Sequence, residues 1–157
     1  MNQPLPISAS VDVDAPPEAV WSVVSDVSRM PEWSPELRKL FVRGPKQTAV
    51  GMRMLGINKR GFAVWPTRSE VVRFEPERAV AWKTQESGAT WTYELEPAGS
   101  GTRLTGRRDL AEFTSGTRWF APIIGGAVGH DHELQAGIAT TLERIKATVE
   151  AAAPATK

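Results

Sequence analysis

Two stretches in the second half of the chain constrain the fold most, because each is apolar along one side only. Residues 90–110 begin with Trp91, Tyr93 and Leu95 alternating with polar residues, and this period of two predicts a β-strand. Proline and glycine interrupt the pattern at residues 97–101, as in a turn. The alternation then resumes, which completes a predicted β-hairpin. One face of its second strand carries Leu104, Gly106, Arg108 and Leu110.

Residues 131–150 are the second stretch, and their apolar residues recur at steps of three or four. This spacing is typical of an amphipathic α-helix. We expect Asp131 to cap the start of the helix. Because a one-sided helix and a one-sided sheet must both bury their apolar faces, each is predicted to pack on the other. The helix stripe consists of Leu134, Ile138, Leu142, Ile145 and Val149.

The rest of the chain supplies the strands that complete the sheet. Short turns link these segments, and such links favour antiparallel pairing in a meander. The predicted fold class is therefore α+β, with a curved antiparallel sheet wrapped around a long C-terminal helix. We expect a single domain over residues 1–157 with an ordered core at about 7–150. The predicted strands occupy residues 7–13, 37–42, 51–57, 63–74 and 79–84, a first helix residues 16–26, and a short turn residues 30–35.

Composition excludes several classes of function. The formal net charge is +1, so no overall field attracts nucleic acid or an anionic membrane, and any basic effect must be local. The chain has no cysteine, which excludes disulfides, thiolate nucleophiles and cysteine-ligated metals. No apolar run approaches the roughly 20 residues that span a bilayer, and the N-terminal residues do not resemble a signal peptide. We therefore expect a cytoplasmic protein with no integral membrane segment and no nucleic-acid partner.

Six short strings follow one another in a characteristic order: APPEAVW at 15–21, MPEWSP at 30–35, VVRFEP at 71–76, TWTYELEP at 90–97, GTRLT at 101–105 and TLERIK at 141–146. In order and spacing they resemble the START-like (helix-grip, SRPBCC) superfamily, and within it the bacterial polyketide cyclase/dehydrase-type proteins. The resemblance implies a deep apolar cavity between sheet and long helix that takes lipids, polyketides or aromatic molecules. Some members catalyse ring closure or dehydration, whereas many only bind and carry a ligand. No cofactor is implied, and we expect none.

Aromatic side chains are the first candidates for a ligand site, because their rings supply large flat apolar walls. Trp21 and Trp82 are interpreted as core residues. Trp91 and Tyr93 are predicted either to line the cavity or to fill it, and in a cavity the Tyr93 hydroxyl would hydrogen-bond a ligand carbonyl. The candidate ligand-binding residues are Trp65, Arg68, Trp91, Tyr93, Leu104, Arg108, Trp119, Phe120, Leu134 and Ile138.

Arg108 is the most specific candidate, because counting by two from Leu104 places this cation on the inward face. A buried guanidinium requires a partner, since it cannot lose its proton. It would anchor a ligand carboxylate or stabilise an enolate as it forms. The alternative is a position at the strand end near the rim, or an ion pair within the protein. Arg68 is a second candidate for an inward contact, although Pro66 leaves its orientation open. The acidic residues considered as partners of Arg108 are Asp109, Glu112 and Asp131.

His130 and His132 flank Asp131, and these residue types bind metals. Because side chains two residues apart on a helix point in different directions, we expect no metal site. His130 remains a candidate general acid or base at the cavity mouth, since histidine titrates near pH 6.5. The alternative is that both histidines simply lie in the first turn of the helix. A loose basic set is interpreted as a solvated sheet face rather than an RNA site, because glutamates are interleaved with it. This set comprises Lys59, Arg60, Arg68 and Arg73.

Three functions remain open from the sequence. The first is a protein that binds a small hydrophobic or aromatic ligand, lipid-like or polyketide-like, between the sheet and the C-terminal helix. The second is a polyketide cyclase or dehydratase that folds its substrate and stabilises the enolate, with Arg108, Tyr93 and His130 as catalytic residues. The third is a protein-interaction module that uses residues 113–129, and a homodimer is among the partners that stay open.

Overall fold

The computed structural model of the chain describes residues 7–44, 47–110 and 127–152, with the backbone alone at residues 110 and 127–134. No helix in these ranges is long and apolar enough to cross a membrane. The elements are β1 (Ile7–Val13), α1 (Pro17–Val24), a 3-10 turn (Val27–Arg29), α2 (Met30–Trp33), β2 (Leu37–Arg43), β3 (Arg53–Arg60), β4 (Ala63–Glu75), β5 (Ala79–Thr84), β6 (Ala89–Ala98), β7 (Gly101–Leu110) and α3 (Ala127–Ala152).

The strands form one antiparallel sheet in the order β1-β7-β6-β5-β4-β3-β2. From β2 to β7 each strand pairs with the next strand in the chain, and β1 adds to the free side of β7. This topology confirms the predicted α+β fold, a curved antiparallel sheet with a long C-terminal helix against it. The two edges of the described sheet are β1 and β2.

Directly opposed residues of antiparallel strands point to the same face of the sheet. One row of such residues crosses the sheet at the level of Arg108, and the next row crosses it at the level of Gly106. Both rows face α3, so the prediction that Leu104, Gly106 and Arg108 point inward is confirmed. The first row is Ile7, Arg108, Trp91, Trp82 and Val71, and the second is Ala9, Gly106, Tyr93, Val80 and Phe74.

One half of this concave face is closely packed against helices. The long helix α3 lies across β1 and β7, and its Ile138 and Leu142 reach down to Gly106. A Cβ atom added to Gly106 would lie 3.0 Å from Ile138 Cγ2 and 3.2 Å from Tyr93 Cε1, so any larger residue would require these side chains to shift. We call this region the packed half. Its fully or almost fully buried residues include Val13, Leu95, Leu104, Ile138, Leu142, Ile145 and Val149.

The long strand β4 contains an irregularity that the sequence indicates, because Val71, Val72 and Phe74 cannot all lie on one face of a regular strand. The pairing of β4 with β5 shifts register between Val71 and Arg73. As a result Val71 is fully buried and Phe74 packs against the core, whereas Val72 is exposed. Phe74 also contacts Trp21 of α1, with the ring centroids 5.2 Å apart.

The helix boundaries differ from the predicted ones at two places. The helix α3 begins at Ala127, so Asp131 lies inside it and the prediction of Asp131 as its cap was wrong. The backbone of residues 127–130 continues the helix upstream, where the first residue, alanine, has the highest helix propensity. The first helix ends at Val24, because the Asp26 carboxylate accepts a 3.2 Å hydrogen bond from the Ser28 amide and starts the next turn.

Candidate functional site

On β3, β4 and β5 the concave face carries a group of polar and aromatic side chains beside buried aliphatic ones such as Met54, Val71 and Val80. Asn58 Nδ2 donates to Thr67 Oγ1 at 3.0 Å, and the hydroxyl oxygens of Ser69 and Thr84 lie 2.9 Å apart. The three tryptophans of this region are only half-buried, whereas α3 covers β1 and β7 instead. We call this region the polar half. Its members are Asn58, Trp65, Thr67, Ser69, Trp82, Thr84, Trp91 and Arg108.

Arg108 lies where the polar half meets the packed half. Its side chain is only 6% exposed, and its direct neighbours on the adjacent strands are Ile7 and Trp91. Gln135 Nε2 of α3 donates to the carbonyl of Ser8 at 3.4 Å, so the N-terminal half of this helix passes close to the same end of the sheet. Arg108 is thus buried, although it lies near the end of its strand.

Three acidic residues were considered from the sequence as ion-pair partners of Arg108. Asp109 points to the outer face of the sheet, where its carboxylate accepts a 2.7 Å hydrogen bond from Arg107 Nε. Arg107 also donates to Glu94 at 3.0 Å, which closes an ion-pair group on the outer face of the sheet. Glu112 and the side chain of Asp131 lie outside the described residues.

Tyr93 is the second inward polar residue, and it lies diagonally across from Arg108 between Val80 and Gly106. Its ring stacks on Trp82 with centroids 5.6 Å apart and an interplanar angle of 24°. Burial raises the pKa of the Tyr93 phenol well above its usual value, because the phenolate would lose its hydration. Tyr93 is therefore a neutral hydrogen-bond donor at physiological pH. Trp82, interpreted from the sequence as core, packs against the core but stays half-buried.

Arg68 was predicted as a second inward contact, and this prediction was wrong. Its side chain is 68% exposed and its Nε donates to Glu86 Oε2 at 2.8 Å. The pairing of β3 with β4 places Trp65 opposite Asn58 on the concave face, so three residues later Arg68 must point outward. Trp65 itself faces inward, as expected of a ligand-binding candidate.

Several predicted residues lie outside what the structure describes. Trp119 and Phe120 belong to that part, as does most of the 113–129 segment predicted as an interaction surface, so the interaction module and the homodimer stay predictions. His130 occupies the first turn of α3, and like that of Leu134 its side chain is not described. Among the described residues no group of histidine and acidic side chains has the arrangement of a metal site.

Sequence patterns offered no reason to select Glu36 and Trp33. Trp33 Nε1 and Glu36 Oε2 are buried atoms that have no hydrogen-bond partner within residues 7–44, 47–110 and 127–152. Burial raises the pKa of the Glu36 carboxyl, and the nearby charge of Arg60 partly offsets that rise. Pro35 and the strand that follows it give no indication that Trp33 and Glu36 are buried. Their burial results from the packing of the loop around residues 33–37.

The loop that contains Trp33 and Glu36 is clamped between α3 and the end of β3. Arg144 Nη1 donates to the carbonyl of Trp33 at 3.1 Å, and the amide of Lys59 donates to the carbonyl of Glu36 at 2.8 Å. Because Lys59 belongs to β3, the loop lies beside the strands that carry the polar half. Within the described part of the chain, Trp33 and Glu36 thus add an unsatisfied donor and an unsatisfied acceptor at the edge of the polar half.

Comparisons with known proteins agree with this architecture. The model of the family described as polyketide cyclase / dehydrase and lipid transport matches residues 5–150. A polyketide-cyclase-like protein from Corynebacterium glutamicum, Cgl2372, is 32% identical, with a TM-score of 0.61 over 96% of this chain and 94% of that chain. A comparison with curated protein sequences found no significant match.

Two further solved structures are similar in fold at lower identity. The protein TTHA0849 from Thermus thermophilus is 19% identical, with a TM-score of 0.73 over 96% of this chain and 100% of that chain. The Zhui aromatase/cyclase from Streptomyces sp. R1128 is 17% identical, with a TM-score of 0.72 over 96% of each chain. At these identities the likeness concerns the fold alone.

Proposed function

The chain belongs to the polyketide cyclase / dehydrase and lipid transport family, and from this premise we propose that it binds a small hydrophobic or aromatic molecule, lipid-like or polyketide-like. The ligand occupies the space between the polar half of the concave face and the N-terminal half of α3. Half-buried indole rings supply its apolar walls. The observation that carries the proposal is the buried cation Arg108 beside Trp91 on that face.

A buried cation among aromatic rings selects a particular ligand chemistry. The guanidinium stays charged at any physiological pH and forms its strongest hydrogen bonds with carboxylate or other anionic oxygens. The indoles of Trp65, Trp82 and Trp91 offer flat surfaces to an aromatic or polyketide body. A ligand with an apolar body and one anionic or carbonyl oxygen therefore matches both components of the site.

Two fluorescent probes with similar apolar bodies test the role of the charge. Anilinonaphthalene sulfonate is anionic, whereas phenylnaphthylamine is neutral, and both are titrated by the quenching of tryptophan fluorescence. Replacing Arg108 with Met should weaken binding of the anionic probe about ten-fold or more, since a hydrogen bond to a charged group contributes about 1.5–3 kcal/mol. The affinity for the neutral probe should change little.

Arg107→Met is the matched control, because Arg107 is the neighbouring arginine and forms its ion pairs on the outer face. It should leave the affinity for both probes unchanged. An equal loss of both probes in Arg108→Met, or a loss of the anionic probe in Arg107→Met, would contradict the assignment. Circular dichroism establishes that both variants are folded.

A second candidate function is polyketide cyclisation or dehydration, and the position of Tyr93 next to Arg108 favours it. In this mechanism the site folds the substrate and supplies proximity. Arg108 stabilises an enolate oxygen, the neutral Tyr93 phenol donates a hydrogen bond to it, and His130 moves protons. Turnover of a poly-β-ketone thioester that survives the combined Arg108→Ala, Tyr93→Phe and His130→Ala substitutions would rule out these roles.

A further inference from the structure

The outer face of β2, β3 and β4 has an apolar centre that is open to solvent. The pairing of these strands places Phe41 opposite Leu55, Ile57 opposite Pro66, and Lys59 opposite Val64, all on the side away from α3. Phe41 is 56% exposed, Leu55 39% and Val64 61%. Single exposed apolar residues are common, but a contiguous group on one face usually marks an interaction surface. We call this the outer apolar face.

Cations surround the outer apolar face on the same three strands. Lys39, Arg43 and Lys59 have no ion-pair partner among the residues that the structure describes. Arg53 has only a distant contact with Glu70, at 3.6 Å, and that glutamate is the single acidic residue on the described rows of this face. Arg68 completes the ring and is the one member with a close ion pair, to Glu86. The face therefore carries a local positive charge that the net charge of +1 conceals.

The neighbouring part of the outer surface is organised differently. On β4, β6 and β7 the exposed arginines are each paired with carboxylates of adjacent strands or the same strand. Arg73 contacts Glu75 and Glu94, and Arg103 contacts Asp12. Charges of both signs thus alternate there, as on an ordinary solvated surface. The excess of cations is greatest on the strands that also expose the apolar residues.

A protruding aromatic residue lies at one end of the outer apolar face. Gly61 and Phe62 form the two-residue turn between β3 and β4, and Gly61 has φ +59°, as such a turn requires at its first position. The Phe62 side chain is 107% exposed, so it packs against none of the residues that the structure describes. It lies two residues from both Arg60 and Val64 in the chain. An aromatic side chain next to cations at a protruding tip is suited to the interface between water and acyl chains.

We propose that the outer apolar face docks the protein on an anionic lipid bilayer, with Phe62 and Val64 entering the headgroup region and the surrounding cations contacting acidic headgroups. This surface is separate from the ligand site, which lies on the opposite side of the sheet. A second copy is disfavoured as occupant, because two identical cationic faces would repel each other. A nucleic acid would leave the aliphatic centre without a partner. The convex side of a curved sheet offers no pocket for an anchoring side chain of an acidic protein, whereas a fluid bilayer conforms to it.

Co-sedimentation of the full chain with vesicles tests the docking. Binding is measured to vesicles of phosphatidylcholine alone and of phosphatidylcholine with phosphatidylglycerol, at low and high salt. We expect binding to the anionic vesicles only, and its loss as ionic strength rises. Replacing Lys39 and Lys59 with Gln should weaken binding about five-fold each, or about 25-fold together. Phe62→Ser should weaken it about ten-fold through the lost apolar insertion.

Arg103→Gln is the matched control, since it removes one exposed cation from the outer surface of β7 and should not change vesicle binding. All of these positions are exposed, so the variants are expected to fold, and circular dichroism verifies this. Equal binding to neutral and anionic vesicles, or no effect of the Lys39, Lys59 and Phe62 substitutions, would overturn the proposal. Preferential binding of an RNA oligonucleotide, or a concentration-dependent dimer abolished by Phe41→Ser, would replace the bilayer with that partner.

Discussion

The packed half and the polar half of the concave face belong to the same sheet but differ in their side chains and in how these are packed. In the packed half, α3 covers β1 and β7, and aliphatic side chains such as Leu104 and Leu142 are fully buried. In the polar half, hydroxyl and amide groups hydrogen-bond to one another between half-buried indoles. The difference indicates that the packed half holds the fold together, whereas the polar half is where we propose that a ligand binds.

Hydrogen bonds between side chains satisfy the polar groups of the polar half. The hydroxyl groups of Ser69 and Thr84 hydrogen-bond to each other. The side-chain amide of Asn58 donates both to the Thr67 hydroxyl and to the carbonyl of Trp65. Buried polar groups with partners cost little, whereas unpartnered ones cost on the order of 1–3 kcal/mol each. The polar groups of this region are therefore satisfied within the protein itself. Local stability is expected to be unequal between the two halves.

The largest expected effect tests this inequality directly. Leu142→Ala should reduce the free energy of unfolding by about 2–5 kcal/mol, because it opens a cavity in the packed half. Trp65→Ala, in the polar half, should cost about 1 kcal/mol although it removes a larger side chain. Urea denaturation monitored by circular dichroism measures both. A larger loss for Trp65→Ala than for Leu142→Ala would invalidate the comparison.

Two glycines allow a sharper test of the packing of α3. Gly106→Ala should destabilise the protein by about 1–3 kcal/mol, because the new methyl group would lie 3.0 Å from Ile138 Cγ2. Gly137→Ala should stabilise it by about 0.5–1 kcal/mol, since it adds a helix-favouring residue at ordinary contact distance, 3.6 Å from Pro35 Cγ. Thermal unfolding of the two variants should thus shift in opposite directions. Shifts of the same sign would show that α3 is not seated as described.

The smallest expected effect concerns the pH dependence at the edge of the polar half. Burial raises the folded-state pKa of Glu36 above that of the unfolded chain, about 4.3, and Arg60 is the charged group that opposes this rise. The contribution of protonated Glu36 to stability is complete below the unfolded pKa and is lost as pH rises through the folded-state pKa. Glu36→Gln should therefore gain stability relative to the original protein as the pH is raised from about 4 to about 7.

Urea denaturation at several pH values measures this gain, with the exposed Glu143→Gln as a control for the loss of one carboxylate. Curves for Glu36→Gln and the original protein that stay parallel over the whole range would contradict a raised pKa. If Glu143→Gln gains stability with pH to the same extent, the effect comes from the change in net charge and not from the burial of Glu36.

Much of the fold follows from periodicity, which acts within single segments. Counting by two places Arg108 and Tyr93 on the inward face, and counting by three and four places Ile138 and Leu142 on the buried stripe of α3. These predictions hold because side-chain direction in a strand or helix is a local geometric property. The cation of the candidate site was therefore visible in the sequence.

Periodicity is less informative where the position of a side chain depends on a distant partner. Pro66 leaves the orientation of Arg68 open in the sequence, and only the pairing of Trp65 with Asn58 resolves it as outward. Asp131 was predicted as a cap because nothing in the sequence shows where helical backbone begins upstream of it. Such choices depend on contacts with residues far away in the chain, or on cooperative extension of an element.

By itself, then, the sequence determined the α+β class, the inward faces of β6 and β7 and the inward cation, since each depends on local periods of two or 3.6 residues. Tertiary structure alone decided that the Glu36 carboxyl is buried, that Arg68 pairs with Glu86, and that exposed Phe41 and Leu55 come together among cations. These are juxtapositions of segments distant in the chain. They are fixed by strand register and helix packing, which no local pattern encodes.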